Sequence, residues 1–240
     1  MSIAVLFRQH SHAIGDFMTE QNFTAQNFSA MRRAMVDSQL RTSDVNEPLI
    51  IEAFLAEPRE DYLPQERASA AYIDRAVPLS VDGRALNPPL ATARLIMEAA
   101  PHAGDKVLLI GAATGYAAAL LARLGCDVTA VEEDESLATL ARTALAGKAG
   151  ITLVNAPHAD GAPAGAPYDI LFIDGAAEDV PQALIDQLKV DGRAVFARLE
   201  RGVTRLCVGT RTSGGFGARA FADSEAVTLP GFARPKTFSF

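Results

Sequence analysis

Val107-Leu108-Leu109-Ile110-Gly111-Ala112-Ala113-Thr114-Gly115-Tyr116 is the stretch on which the fold turns. Four consecutive apolar residues run into a glycine-spaced turn, and Tyr116–Leu124 follows with the pattern of a helix. A buried strand that passes through a glycine turn into a helix lets a ligand approach the main chain at the helix N-terminus. The dinucleotide fingerprint GxGxxG is not met, because Gly111, Ala113 and Gly115 have the wrong spacing and lack the middle glycine, so NAD is disfavoured. A tight strand-to-helix turn with no ligand is the plainer alternative.

Downstream, short apolar runs alternate with helical stretches: Val128–Val131, then Ser136–Ala146; Ile151–Val154; Ile170–Ile173, then Pro181–Leu188; Ala194–Ala197. This alternation predicts a parallel sheet with crossover helices. Glu132 follows the second run about 20 residues after Gly111, where a carboxylate at the strand end can accept hydrogen bonds from ribose hydroxyls. The alternative is a solvated Glu within Glu132-Glu133-Asp134-Glu135. Val203–Thr210 and Ala218–Ala222, separated by Ser213-Gly214-Gly215, predict a terminal antiparallel hairpin.

Upstream, Phe28, Met31, Met35, Val36 and Leu40 share one face of a helix that starts near Ala25. Asp44 with Glu47 predicts a capped start for a second helix through Val45, Leu49, Ile50, Phe54 and Leu55, ending before Pro58. Pro89 suits the first turn of a third helix, with Ala91, Leu95, Ile96 and Ala99 on its apolar face. The expected organisation is a tail over 1–24, a helical N-terminal subdomain over 25–100, and an α/β domain over 101–240.

The 240 residues carry 22 Lys and Arg against 29 Asp and Glu, a net charge of −7, with 49% hydrophobic and 21% charged residues. Such a chain is globular, and its acidic balance, without a basic run, argues against nucleic acid as a partner. Cys126 and Cys207 have no CxxC spacing, which points to a reducing compartment, and the cytoplasm is expected. Ser2–Phe7 is too short for a membrane span or a signal segment, so no membrane association is expected. His10 and His12 are assigned to the tail, and with His102 and His158 they form no metal-type pair within the folded region.

The glycine turn is similar to the GxGxG loop of class I S-adenosylmethionine-dependent methyltransferases. Met35-Val36-Asp37-Ser38-Gln39-Leu40 and Pro58-Arg59-Glu60-Asp61-Tyr62-Leu63-Pro64 resemble the N-terminal subdomain of protein-L-isoaspartate O-methyltransferases. So do Ala166-Pro167-Tyr168-Asp169 and Pro181-Gln182-Ala183-Leu184-Ile185-Asp186-Gln187-Leu188-Lys189 with Gly192. The resemblance implies a Rossmann-like, doubly wound, seven-stranded class I methyltransferase fold. It implies a cytoplasmic enzyme that uses S-adenosylmethionine to methylate the isoaspartyl carboxylate of damaged proteins. Gly111, Ala112, Ala113, Gly115 and Tyr116, with Glu132 and Glu133, are the expected cofactor-binding residues.

Departures from the family pattern fall where the chemistry should be. The family segment Gly-Gln-Thr-Ile-Ser-Gln-Pro aligns on Gly83-Arg84-Ala85-Leu86-Asn87-Pro88-Pro89, which removes both active-site hydroxyls. Ala113 replaces a glycine, Leu109 an acidic residue, and Ala156-Pro157-His158 the family's Gly-Asp-Gly, whose Asp holds the adenine. A carboxylate acceptor is already ionised at neutral pH and needs orientation rather than a general base. Arg84 and Asn87 offer a fork and an amide for that task. Asp174, which ends the run Ile170–Ile173 at the crevice where the family carries an uncharged residue, completes the catalytic candidates, and its charge would disfavour an anionic acceptor. The plainer alternatives are a solvated Arg84 and an Asn87 that caps the following helix. Low isoaspartyl turnover or a different acceptor is therefore expected. A non-catalytic scaffold is one alternative reading. A metal-dependent small-molecule O-methyltransferase using Asp174 with Glu178 and Asp179 is another, although no metal ligand is assigned.

Overall fold

The computed structural model describes residues 27–80 and 83–233. The 1–24 tail, with His10 and His12, and the expected helix start at Ala25 lie outside the described residues. The first helix, α1, covers 27–35 and passes into a π-turn over Val36–Leu40. Helix α2 spans Pro48–Ala56, with proline in its first turn. The expected Asp44/Glu47 cap is not formed: Asp44 sits in the left-handed region at φ 66° beyond the preceding turn, and Glu47 precedes α2 without a side-chain cap. Pro48 sets the helix start instead, because its fixed φ suits the first helical position.

A small ladder, β1 (Val77–Pro78) with β2 (Ala85–Leu86), leads to α3 (Pro89–Ala99). The α/β unit then runs β3 (Lys106–Ile110), α4 (Tyr116–Arg123), β4 (Asp127–Glu132), α5 (Glu135–Ala144) and β5 (Ile151–Asn155). Asp134 caps α5 by accepting from the Ser136 and Leu137 N–H groups. Next come β6 (Tyr168–Ala177), α6 (Gln182–Ile185), β7 (Leu188–Glu200), β8 (Val203–Thr212) and β9 (Gly215–Asp223). The expected helix over Pro181–Leu188 is only one turn long, because Leu188 already belongs to β7 and pairs with Tyr168.

The seven strands lie in the order β5-β4-β3-β6-β7-β8-β9, parallel from β5 to β7 and antiparallel from β7 to β9. This is the Rossmann-like arrangement expected from the sequence. Strand pleating sends alternate side chains to opposite faces. Val107 and Leu109 join one core with Met35, Phe54, Ile96 and Leu120, so the N-terminal helices and the sheet share one interior. Leu108 and Ile110 face a second core closed by Leu184, Ile185, Leu229 and Phe232. No helix among the described residues is long and apolar enough to cross a membrane.

Candidate active site

The carboxyl ends of β3, β4 and β6 converge at the point where the strand order reverses, the usual ligand crevice of an open α/β sheet. The glycine turn forms its floor. Gly111 and Gly115 take φ of 78° and 98°, and Ala113 takes 51°, the backbone angle that a Cβ makes costly. The Gly111 and Ala112 N–H groups both donate to the Val131 carbonyl, which ties the turn to β4.

Glu132, the last residue of β4, is fully buried rather than solvated. Its Oε2 accepts from the Ala113 N–H at 2.7 Å and its Oε1 from the Asp134 N–H at 3.0 Å. Arg84 then closes on it as a bidentate fork, Nη1 to Oε1 at 2.6 Å and Nη2 to Oε2 at 2.7 Å. His158 Nε2 lies 3.4 Å from Oε1. Burial alone would raise this carboxyl, but the contacts with His158 and Arg84 outweigh burial and hold its pKa down at about 2.

Asn87 does not cap α3. Its amide donates to the Asp174 carbonyl at 2.9 Å and carboxylate at 2.8 Å, while its Oδ1 accepts from the Val227 N–H at 2.8 Å. Burial pushes the Asp174 carboxyl up, partly countered by Asn87, Arg59 and Arg84. Arg59 is completely buried, donates to the Asn87 and Ala71 carbonyls, and lies 4.9 Å from the centroid of the Tyr116 ring. Tyr116 itself packs edge-on against Phe54 and Tyr62, on the side of the N-terminal helices.

Arg84, Asn87, Asp174, the glycine turn, Glu132 and Glu133 are thus brought together, with Arg84 and Asn87 buried where solvation and capping were the plainer alternatives. Two residues escaped assignment from sequence. Arg59 stood inside a quoted motif, and its charge within Pro58-Arg59-Glu60 was the available signal. His158 was set aside for want of a second histidine, yet its ring stands against Glu132 and its main-chain N–H donates to the Glu133 carboxylate. Asp174 is engaged by Asn87, and among the described residues no three His, Cys, Asp or Glu side chains converge as a cation cage.

The family model for protein-L-isoaspartate(D-aspartate) O-methyltransferase (PCMT) matches residues 30–208. The chain belongs to this family. A protein-L-isoaspartate O-methyltransferase of Rhodopseudomonas palustris (strain HaA2) is 37% identical over 193 residues, covering 79% of this chain and 78% of the relative. One from Marinobacter nauticus is 36% identical over 196 residues, covering 80% and 89%. Among solved structures, a protein-L-isoaspartate O-methyltransferase aligns with a TM-score of 0.74 at 24% identity, over 83% of this chain and 66% of the other. A Plasmodium falciparum protein of the same description, in complex with S-adenosyl-L-homocysteine, aligns with a TM-score of 0.68 at 16% identity, over 84% and 97%. The last two likenesses speak for the fold, the sequence relatives for the family.

PCMT-family enzymes use S-adenosylmethionine, and that cofactor can be tested against the side chains present. Both Glu132 oxygens are already filled by Arg84 and main-chain N–H groups, which leaves no place for ribose hydroxyls. Above the turn, the Leu229 methyls stand 2.9 Å from where a Cβ on Gly111 would be, so the space that glycine opens is taken by the chain itself. In this arrangement the crevice does not accommodate the cofactor.

Proposed function

We propose that this chain is an S-adenosylmethionine-dependent methyltransferase acting on a protein or peptide carboxylate, with the isoaspartyl group as the family's acceptor. The observation that carries the reading is the family match across 30–208, which spans the N-terminal helices, the glycine turn and the strand ends together. In this reading Gly111, Ala112, Ala113 and Gly115 with Glu132 and Glu133 form the donor side. Arg84, held by Glu132, and Asn87, held by Asp174, form the acceptor side. The Arg84–Glu132 pair joins the two.

The chain's task at the acceptor is orientation, since a carboxylate needs no base at neutral pH. With the Arg84 Nη groups on Glu132 and the Asn87 amide on Asp174, the groups that would grip an incoming carboxylate are already engaged, and only the buried Arg84 Nε lacks an acceptor. Turnover on isoaspartyl peptides is therefore expected to be slow. Cys126 and Cys207 are both free, and unpaired thiols suit a reducing compartment such as the cytoplasm.

The test is transfer of a labelled methyl group to an isoaspartyl peptide beside its aspartyl isomer. Slow, base-labile labelling of the isoaspartyl form alone is expected. Absence of label from any carboxylate peptide, with folded protein, would overturn the reading.

A further inference from the structure

We propose that residues 225–233 together with Arg84 form an internal latch that fills the donor crevice in the resting chain, so that the methyl donor enters only when the latch opens. The inference rests on the methyltransferase reading and adds a form of control to it. After β9 the chain crosses the carboxyl edge of the sheet and runs parallel to the end of β6, bridging Ala176 and Thr228. The Ala176 N–H donates to the Val227 carbonyl, the Leu229 N–H to the Ala176 carbonyl, and the Glu178 N–H to the Phe232 carbonyl. Leu229 thereby lands on both Gly111 and Gly175, with its Cγ 2.5 Å from where a Gly175 Cβ would be. Phe232 stacks on His158, whose ring stands against Glu132.

Three features suit a strap that is anchored in the second core by two side chains and is otherwise free to lift. Only Leu229 and Phe232 of the segment are buried, while its other side chains are half-buried or exposed. A strap held by two side chains and a few main-chain bonds at a sheet edge can leave without unfolding the strands beneath it. The Arg84 guanidinium is imperfectly housed, since its Nε is buried with no protein acceptor. Finally, a buried ion pair is costly to desolvate, so release of Arg84 to water returns part of the attraction that it gives up. Hydroxyl groups that replaced Arg84 on Glu132 would preserve that carboxylate's hydrogen bonds and release the cation to water. Strap and fork close the same place from two sides: Asn87, three residues from Arg84, holds the Val227 N–H.

A population that is mostly closed weakens apparent affinity by the fraction that is open, so loosening either half of the latch should tighten ligand binding. The experiment is calorimetric titration of S-adenosylhomocysteine into the full chain and into Arg84→Gln and Leu229→Ala. Hydrogen exchange at the Val227 and Leu229 amides is followed with and without ligand. Circular dichroism and melting establish that each variant is folded, and the second variant stands in where the first is too unstable. We expect about tenfold or greater tightening in the variants and loss of amide protection in the wild-type complex. Equal affinity in all three proteins with both amides still protected in the complex would overturn the latch. So would failure of every folded variant to bind, because the latch would then not be what excludes the ligand. In that case methyl labelling of a peptide would still uphold the methyltransferase reading, and its absence would remove both.

Discussion

Glu132 meets more polar partners in the crevice than its burial alone would tolerate, and its titration gives a signed expectation. Its folded pKa of about 2 lies below the ordinary 4.5. The associated stability is present above about pH 4.5 and is lost as pH falls toward 2, a contribution on the order of 3 kcal/mol. Asp174 works in the opposite sense, because a carboxyl raised by burial costs stability when ionised and recovers it on protonation. Urea unfolding as a function of pH should show a steep acid limb that flattens in Glu132→Gln; an unchanged limb would place the titration elsewhere. At Gly111 a methyl group would meet both a φ of 78° and the Leu229 side chain. Gly111→Ala should therefore cost about 2–3 kcal/mol. A neutral result in the same unfolding measurement would mean that Leu229 does not rest there.

At the scale of elements, legibility followed periodicity. Strands β3, β4, β6 and β7 were visible as apolar runs, because burial within the sheet demands one, while the edge strand β5 showed as the run Ile151–Val154 although it is only half-buried, and the glycine turn fixed where the sheet begins. The β8–β9 hairpin was announced by Ser213-Gly214-Gly215. What failed did so for local reasons. Asp44 and Glu47 have the cap spacing, but Pro48 outcompetes them for the helix start, and β7 consumes the end of the helix read after Pro181. In the site, position alone marked Glu132. Nothing local marks Arg84 as its partner, because the two lie 48 residues apart and meet only through the tertiary fold. The segment over 225–233 has no apolar period to read, since its hold depends on main-chain bonds and two isolated side chains.

For the whole molecule, the helical N-terminal region is fastened to the α/β unit by more than shared apolar packing. Glu57, after α2, is 1% exposed and accepts from Tyr62 Oη at 2.6 Å, from Arg123 Nε of α4 at 2.5 Å and from Lys148 Nζ at 2.8 Å. These contacts hold its carboxyl below the ordinary range despite burial. Glu57→Ala should cost about 2–4 kcal/mol, mostly by stranding the Tyr62 hydroxyl. Because one core runs through both regions, the loss should appear as a downward shift of a single melting transition; two resolved transitions would show that the regions fold apart. The filled crevice also bears on how small molecules for this chain are to be found. A thermal-shift screen reports the surplus of a compound's contacts over those it displaces, and here a compound first forfeits the Arg84 fork and the burial of Leu229. Compounds that fit the vacated space well will barely move the melting temperature, and a screen reading direct occupancy will rank them differently from one reading heat.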